Sequence, residues 1–448
     1  MLLMNEKLTN RSAGPPGPTG ETPVPPAAPD TTVRPSSAPC GSCGAGCGPV
    51  PPAAPGRRQS GGTALTAAAG PEQETFATFR DWRLNRAEYA KQWKRRTGGK
   101  VIGYFCTYAP EELMYAAGIL PVRILGSHEV QDVTEPHIFG MFCPFCRDCL
   151  AQGLKGRFDY LDGIMIAQSC LHIRQAFTSW QKHVPIDYSY YLPMPHHVQS
   201  RHAAPFLTKE LEVFQASLES WLGRKIDDQA IEDAIDIYNR NRQLLWRVYE
   251  TRKAEPPPLS GEEAMEMVLA AQMVDKQDHN AALERVLARL PARPTTRPVG
   301  VRLMILGSED DDVEFIHMVE SCGATFVIDD HCTGTRYFWN NVGPDGHPLE
   351  RIAERYVKRV PCPTKDWPER TRVRHALELA KAYGVQGAIV MQQKFCDPHE
   401  LDIPALTKAL NNAGIKTLFL EFDVTVPIGQ FKVRVEAFLE MFREDDLF

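Results

Sequence analysis

The amino-acid sequence predicts an α/β fold: two parallel-sheet halves joined by a helical region. Three observations carry that expectation. Short apolar runs alternate with helix-like segments in both the first and the last third of the chain, as in strand–helix–strand units. Between these thirds, residues 205–290 read almost wholly as helix. Third, Cys106, Cys170 and Cys396 each follow an apolar run and precede a helix-like segment, in VIGYFCTYAPEEL, LDGIMIAQSCLHIRQAF and GAIVMQQKFCDPHEL. In an open α/β sheet the carboxyl ends of the strands face the ligand crevice. Thiolates there are favoured by the positive end of the following helix. Cysteines far apart in sequence can therefore converge on one metal centre.

Residues 1–74 are rich in Pro, Ala, Gly, Ser and Thr. Such a segment cannot bury enough surface to offset chain entropy, and a disordered tail is expected. Its Cys40, Cys43 and Cys47, in PCGSCGAGCG, suit a metal, yet short cysteine tracts are weakly specific and incidental thiols are the preferred reading.

An N-terminal α/β domain is expected over residues 75–204. FRDWRLNRAEYAKQWKRR reads as an amphipathic helix, VIGYFCTY as a buried strand and PEELMYAAG as a helix. Pro110 lies near that helix's start, where a missing N–H costs little. PVRILG is the next strand, CPFCRDCLAQGLKG a helix and DGIMIAQ the third strand; LHIRQAFTSWQKHV is a helix and IDYSYYLPMP a strand.

A helical connecting region follows, residues 205–295, with helices in LTKELEVFQASLESWLGRK, DDQAIEDAIDIYNRNRQLLWRVYETRK and EEAMEMVLAAQMV; prolines 256–258 separate the last two. The C-terminal α/β domain, residues 296–448, has strands VRLMILG, TFVIDD, GAIVMQ and KTLFLEF. Its helices VEFIHMVESCG, RVRHALELAKAYG and IPALTKALNNAG each close on Gly, a C-cap signal. The fold class is thus two Rossmann/flavodoxin-like halves with an interdomain cleft, the usual place for a ligand.

Composition narrows the function. The chain has 448 residues, 43% hydrophobic and 24% charged, with a formal net charge of −6, which gives no electrostatic case for nucleic acid. No apolar run approaches the roughly 18 residues of a membrane span, and MLLMNEKLTN lacks the apolar core of a signal peptide. Twelve cysteines without an export signal suggest metal ligation or buried thiols in a reducing, cytoplasmic setting. There is no G-x-x-x-x-G-K-[ST] phosphate loop and no G-x-G-x-x-G after a strand, so neither ATP hydrolysis nor a dinucleotide is expected in this chain.

Cys143, Cys146 and Cys149, in MFCPFCRDCL, resemble the start of a ferredoxin cluster run, which needs a further C-x3-C-P step. Gly153 stands in the fourth position, so a self-contained site is incomplete. One or two of these thiols can still join Cys170 and Cys396. Structural zinc competes, but its ligands usually come as close pairs, which the isolated Cys170 and Cys396 fit poorly. Cys322, Cys332 and Cys362 are read as small buried hydrophobes.

Other candidates carry less weight. Asp329, Asp330 and His331 follow the strand TFVI. His331 suits a proton donor, though capping or turning the chain is the preferred role for all three. TGTRYFWNN offers Arg336 and aromatic side chains for an acyl pocket or for the core. Glu111 and Glu112 fit the first turn of a helix as dipole partners. His196 and His197 have no metal-type spacing.

GYFCTYAPEELMYAAGILPVRI, CPFCRDCLAQGLKGRFDYLDGIMIAQSC and QQKFCDP together resemble the 2-hydroxyacyl-CoA dehydratase / benzoyl-CoA reductase family, from about residue 80 to the end. IDDHCTGTRYFWN makes the chain more similar to a substrate-side subunit of ATP-dependent benzoyl-CoA reductase. The resemblance implies one [4Fe-4S] cluster held by three cysteines in the cleft. Mapped by motif these are Cys143, Cys170 and Cys396, with Cys146 and Cys149 competing for the first place and Cys106 a neighbour. It further implies a paralogous cluster-binding subunit, an ATP-hydrolysing activator with its own cluster, ferredoxin as electron donor, and benzoyl-CoA or a similar acyl-CoA as substrate. The implied reaction is one-electron dearomatisation to a cyclic dienoyl-CoA. Radical elimination of water by a dehydratase subunit is the alternative. A structural role, holding zinc or acting as a scaffold, is the third.

Overall fold

The computed structural model describes residues 71–294 and 297–444. Residues 1–70 of the expected tail, with Cys40, Cys43 and Cys47, lie outside the described residues, while residues 71–74 begin α1. Chain order begins with α1 (Pro71–Leu84), α2 (Arg86–Thr97), β1 (Lys100–Tyr104), α3 (Glu111–Ala116), β2 (Ile119–Arg123), α4 (Pro144–Leu154), β3 (Gly163–Ala167), α5 (Leu171–His183) and β4 (Tyr188–Leu192). Four long helices follow: α6 (Ala203–Leu222), α7 (Asp228–Thr251), α8 (Gly261–Ala271) and α9 (Lys276–Arg289). The last part comprises β5 (Val301–Gly307), α10 (Val313–Ser321), β6 (Ala324–Asp330), the short α11 (Thr335–Phe338), α12 (Pro348–Lys358), α13 (Thr371–Ala382), β7 (Gly387–Gln393), α14 (Asp397–Asn412), β8 (Lys416–Phe422) and α15 (Ile428–Glu444).

All eight expected strands form, in two parallel four-stranded sheets ordered β2-β1-β3-β4 and β6-β5-β7-β8. The two orders are the same, and both are flavodoxin-like, reversing beside the first strand of the half. Most strands are buried along their length, as parallel sheets covered by helices require. β8, at the edge, alternates exposed and buried near its end.

The expected first helix is two helices. It breaks at Asn85, and Gly98 closes α2 in the left-handed region, φ 69°. Within the central region, expected to be almost wholly helical, α9 is a separate helix whose bounds the sequence pattern did not mark; Asp275 caps it through its carboxylate. Ser260 and Glu263 form a capping box on α8, satisfying N–H groups that otherwise lack partners. α14 begins six residues before the expected Ile403, at Asp397, and carries Pro404 inside it.

The two halves share a core. Leu349, Ile352, Ala353 and Tyr356 of α12 pack with Tyr104, Leu113, Met165 and Phe214 from the first half and α6. Buried charges bind the same elements. Glu112 in α3 pairs with Arg242 of α7 and Glu111 lies 3.4 Å from Lys276 Nζ. Tyr337 also donates to Glu111, at 3.1 Å. These two carboxylates stand in the first turn of α3, as expected of dipole partners, and are interior anchors as well.

Among the described residues no helix is long and apolar enough to cross a membrane.

Candidate functional site

Three thiols sit at helix starts. Cys143, Cys170 and Cys396 are the N-cap residues of α4, α5 and α14. In α4 and α14 a proline occupies the first turn, where its missing N–H leaves no hydrogen bond unmade. Each thiol thus lies at the positive end of a helix dipole, which favours thiolate, while burial, followed by the neighbouring Cys143, pushes Cys170 and Cys396 up. Phe395, just before Cys396, has φ 60°, a left-handed conformation that an aromatic residue adopts only when its surroundings hold it.

These helix starts meet at one cavity between the two sheets. It encloses about 680 Å³ of empty space, part of it open to solvent, and its wall includes Cys106, Cys143, Cys146, Cys170, Cys332, Cys362 and Cys396. The topology explains the convergence. Cys106 and Cys170 lie beyond β1 and β3, the strands either side of the reversal in the first sheet. Ser308, Glu309 and Cys396 lie beyond β5 and β7, their counterparts in the second.

Within the CPFCRDC segment the geometry separates the three thiols. Cys149 is fully buried and lies 3.6 Å from the Ile124 carbonyl oxygen, away from the cavity wall. Cys143 and Cys146 both line the cavity, with their Sγ atoms 3.3 Å apart. The Cys146 thiol, followed by the His172 ring, pulls Cys143 down to about 6, while burial pushes Cys146 well up. The Cys143 N–H lies 3.2 Å from His172 Nδ1. Among the described residues no group of three or more His, Cys, Asp or Glu side chains stands close enough to hold a single metal ion.

The wall is cationic as well as thiol-rich. Arg123, Arg336 and Arg359 line it and are almost wholly buried. Arg336 donates to the carbonyl oxygens of Gly307 and Ser308 at 2.6 and 3.2 Å. Arg359 donates to the Thr107 carbonyl at 2.7 Å. The Nε atoms of Arg123 and Arg359 have no hydrogen-bond partner. Buried guanidinium donors left unused favour an anionic occupant. Phe105, Tyr108, Phe145 and Ile173 supply an apolar remainder.

Several expectations change here. Cys332 and Cys362 line the cavity, so they are wall residues rather than mere packing; Cys322 alone of that trio stays apart, closing α10. His331 is fully buried, absent from the wall, and joined to Thr333 Oγ1 at 2.8 Å. Asp329 accepts from the Thr335 N–H at 2.6 Å and from Tyr249 at 2.5 Å, the turn-forming role preferred for it. Asp330 lies 3.1 Å from Arg372 and 3.2 Å from Arg336. In TGTRYFWNN, Arg336 reaches the cavity, while Tyr337 and Phe338 are core. His196 meets only the Thr364 carbonyl, at 3.4 Å.

Glu309, Arg123, Arg359 and Gln393 were missed. The strand-end rule that found the cysteines also points to Glu309, which follows β5. Arg359 and Cys362 come from the connection after α12 and carry no strand-end signal.

Two like-ordered parallel sheets sharing one thiol-lined cavity at their strand reversals define a two-half α/β ligand-binding protein. The family model described as 2-hydroxyglutaryl-CoA dehydratase, D-component, matches residues 106–442, and the chain belongs to that family. It is 29% identical to a benzoyl-CoA reductase subunit of Thauera aromatica, over 78% of this chain and 92% of the relative. It is 26% identical to the (R)-phenyllactyl-CoA dehydratase beta subunit of Clostridium sporogenes, over 82% and 98%. The (R)-2-hydroxyglutaryl-CoA dehydratase beta subunit of Acidaminococcus fermentans is 27% identical, over 77% and 92%.

Proposed function

We propose that the chain is the iron–sulfur subunit of an ATP-dependent, ferredoxin-driven benzoyl-CoA reductase, holding a [4Fe-4S] cluster through Cys143, Cys170 and Cys396. The observation that carries this is the meeting at one cavity of three thiols from distant segments, each at the N-cap position of its helix. The donor set suits the group. Thiolates are the usual cluster ligands, a cluster is wider than a single ion, and the unused donors of Arg123 and Arg359 suit its negative charge. When bound, such a cluster supplies single electrons, at potentials that extend to about −700 mV.

The chain's own residues supply the rest. Phe105, Tyr108, Phe145 and Ile173 provide an apolar wall for an aromatic acyl group and keep water from reactive species. The buried arginines hold positive charge where the substrate gains negative charge. Each proposed ligand also has an exposed apolar neighbour within two residues, Met141, Leu171 and Phe395, a surface suited to a partner. The relatives are named as subunits, in keeping with a paralogous cluster-binding subunit and an ATP-hydrolysing activator as partners.

The relatives' names favour a second reading equally: a 2-hydroxyacyl-CoA dehydratase subunit, in which the electron is returned and water is lost. Product analysis separates them. The complex, purified anaerobically with its partners and supplied with reductant and ATP, is offered benzoyl-CoA and (R)-phenyllactyl-CoA. Ring-reduced product from the first supports the reductase; an enoyl product from the second alone overturns it. Zinc in place of iron and acid-labile sulfide would leave only a structural, scaffold role.

A further inference from the structure

Glu309 stands apart from the rest of the cavity wall. It follows β5 at the strand reversal, is 6% exposed, and lines the thiol cavity. Its Oε1 has no hydrogen-bond partner. Its Oε2 and its own carbonyl oxygen both accept from Gln393 Nε2, at 2.9 Å each. Gln393 Oε1 in turn accepts from the Phe145 N–H at 2.9 Å, in the first turn of α4. One amide side chain thus ties the carboxyl to the helix that Cys143 caps. A buried carboxyl with one oxygen unpaired is a group whose ionised form is poorly supported. Burial, followed by the Asp311 charge, pushes Glu309 well above the usual carboxylate range, against Arg123 and His128.

Glu309 also lines a second, smaller cavity on its other side, shared with His128, Asp148, Asp311 and Asp423. There His128 Nε2 lies 2.6 Å from Asp311 Oδ1 and Nδ1 lies 3.2 Å from the Val424 carbonyl oxygen. The His128 backbone is held at φ 58°. Its side chain is 26% exposed and that of Asp311 10%, so His128 is the member of this group most open to solvent. Burial would lower His128, yet Asp311 raises it to about 11.

We propose that Glu309 is the proton donor of the thiol cavity, recharged from solvent through the Asp311–His128 pair. This deepens the acyl-CoA reading above and rests on it. In the step, a one-electron-reduced acyl-CoA takes the Glu309 proton: the carboxyl O–H bond breaks, and a C–H bond forms on the substrate. The electron would be supplied by the external low-potential donor; a cluster held by Cys143, Cys170 and Cys396 would supply the single-electron chemistry. The Glu309 carboxylate left behind regains one proton from the His128 side, and His128 regains one from water. One proton is thus consumed per electron delivered.

The test uses the full complex with Glu309→Gln and Glu309→Asp. Iron and acid-labile sulfide should match the unaltered complex in both. Turnover should fall about 10²–10⁴-fold in the Gln form, the usual contribution of a positioned acid, and recover in part in the Asp form, which keeps the acid. Infrared spectra of the unaltered chain near neutral pH should show the C=O band of a protonated carboxyl that Glu309→Gln removes. Unchanged turnover in Glu309→Gln at full iron content overturns the proposal. So does an equal loss in both variants, or the absence of that band. The iron count tests the cluster reading separately, and the infrared band requires no cluster.

Discussion

The two halves of the molecule have the same strand order but different proportions of thiol and charge at their strand ends. The first sheet delivers mostly thiols to the shared cavity: Cys106 beyond β1, the Cys143–Cys146 pair at α4 and Cys170 beyond β3. The second delivers charge as well as thiols: Glu309 beyond β5, Arg336 beyond β6 and Arg359 beyond α12, together with Cys332, Cys362 and Cys396, the last its proposed ligand. The topology decides only where side chains meet; the residues at the strand ends decide what they do there. A cavity built across two such halves gathers its proposed ligands from both and most of its charge from the second.

The sharpest way to break that division is through the thiols. Replacing Cys170 or Cys396 by Ala should abolish stable cluster binding and with it product formation, measured as iron, acid-labile sulfide and turnover in the complex. Full retention of iron in either variant removes that residue from the ligand set. The two variants belong to different halves, so equal loss shows that both halves are needed.

Next in size is the buried pair that binds α3 to α7. Arg242→Met leaves Glu112 fully buried without its partner, and about 3–5 kcal/mol of stability should be lost. Chemical denaturation measures it. A loss under about 1 kcal/mol, far below the cost of an uncompensated buried charge, shows that the neighbouring Arg355 carries the pairing instead.

The corresponding anchor in the second half is Asp330. Burial opposes its charge, but Arg372, followed by Arg336, holds it down at about 2. A depressed carboxylate stabilises above its unfolded value, near 3.9, and that contribution fades as pH falls from there toward 2. The expected size is about 2 kcal/mol. Asp330→Asn should remove this acid-limb dependence, read from stability curves between pH 2 and 5; an unaltered curve assigns the dependence to other groups.

The smallest effect is expected at Cys149, which belongs to the cysteine-rich segment but faces away from the cavity. Cys149→Ala should leave iron content unchanged and destabilise by about 1 kcal/mol through a small void. Loss of iron there would reopen the choice among the three thiols of that segment.

Much of this was legible in sequence because parallel α/β folds are locally encoded. Each strand is a short apolar run, and the helices after β5, β6 and β7 end near glycines with positive φ, Gly323, Gly384 and Gly414. The strand-end rule also nominated Cys170 and Cys396, because a residue directly after a parallel strand has little choice of where to lie. The local pattern failed where neighbours in space decide. Asn85 breaks one expected helix into two, and α9 lacks a strong apolar stripe in sequence yet packs against α7 and α1. The burial of Glu111 and Glu112 depends on Lys276 and Arg242, more than a hundred residues away.

The sequence by itself determined two parallel-sheet halves, a helical bridge and thiols at strand ends, because apolar period, turn residues and caps act over a few residues. Only the tertiary structure decided which thiols share a wall. It turned Cys149 into the core and brought Cys332 and Cys362 to the cavity. It also lifted Glu309 out of an acidic run into a desolvated position between two cavities. Those outcomes depend on how the two sheets face each other, and facing is set by side chains packed across long separations, which no local pattern records.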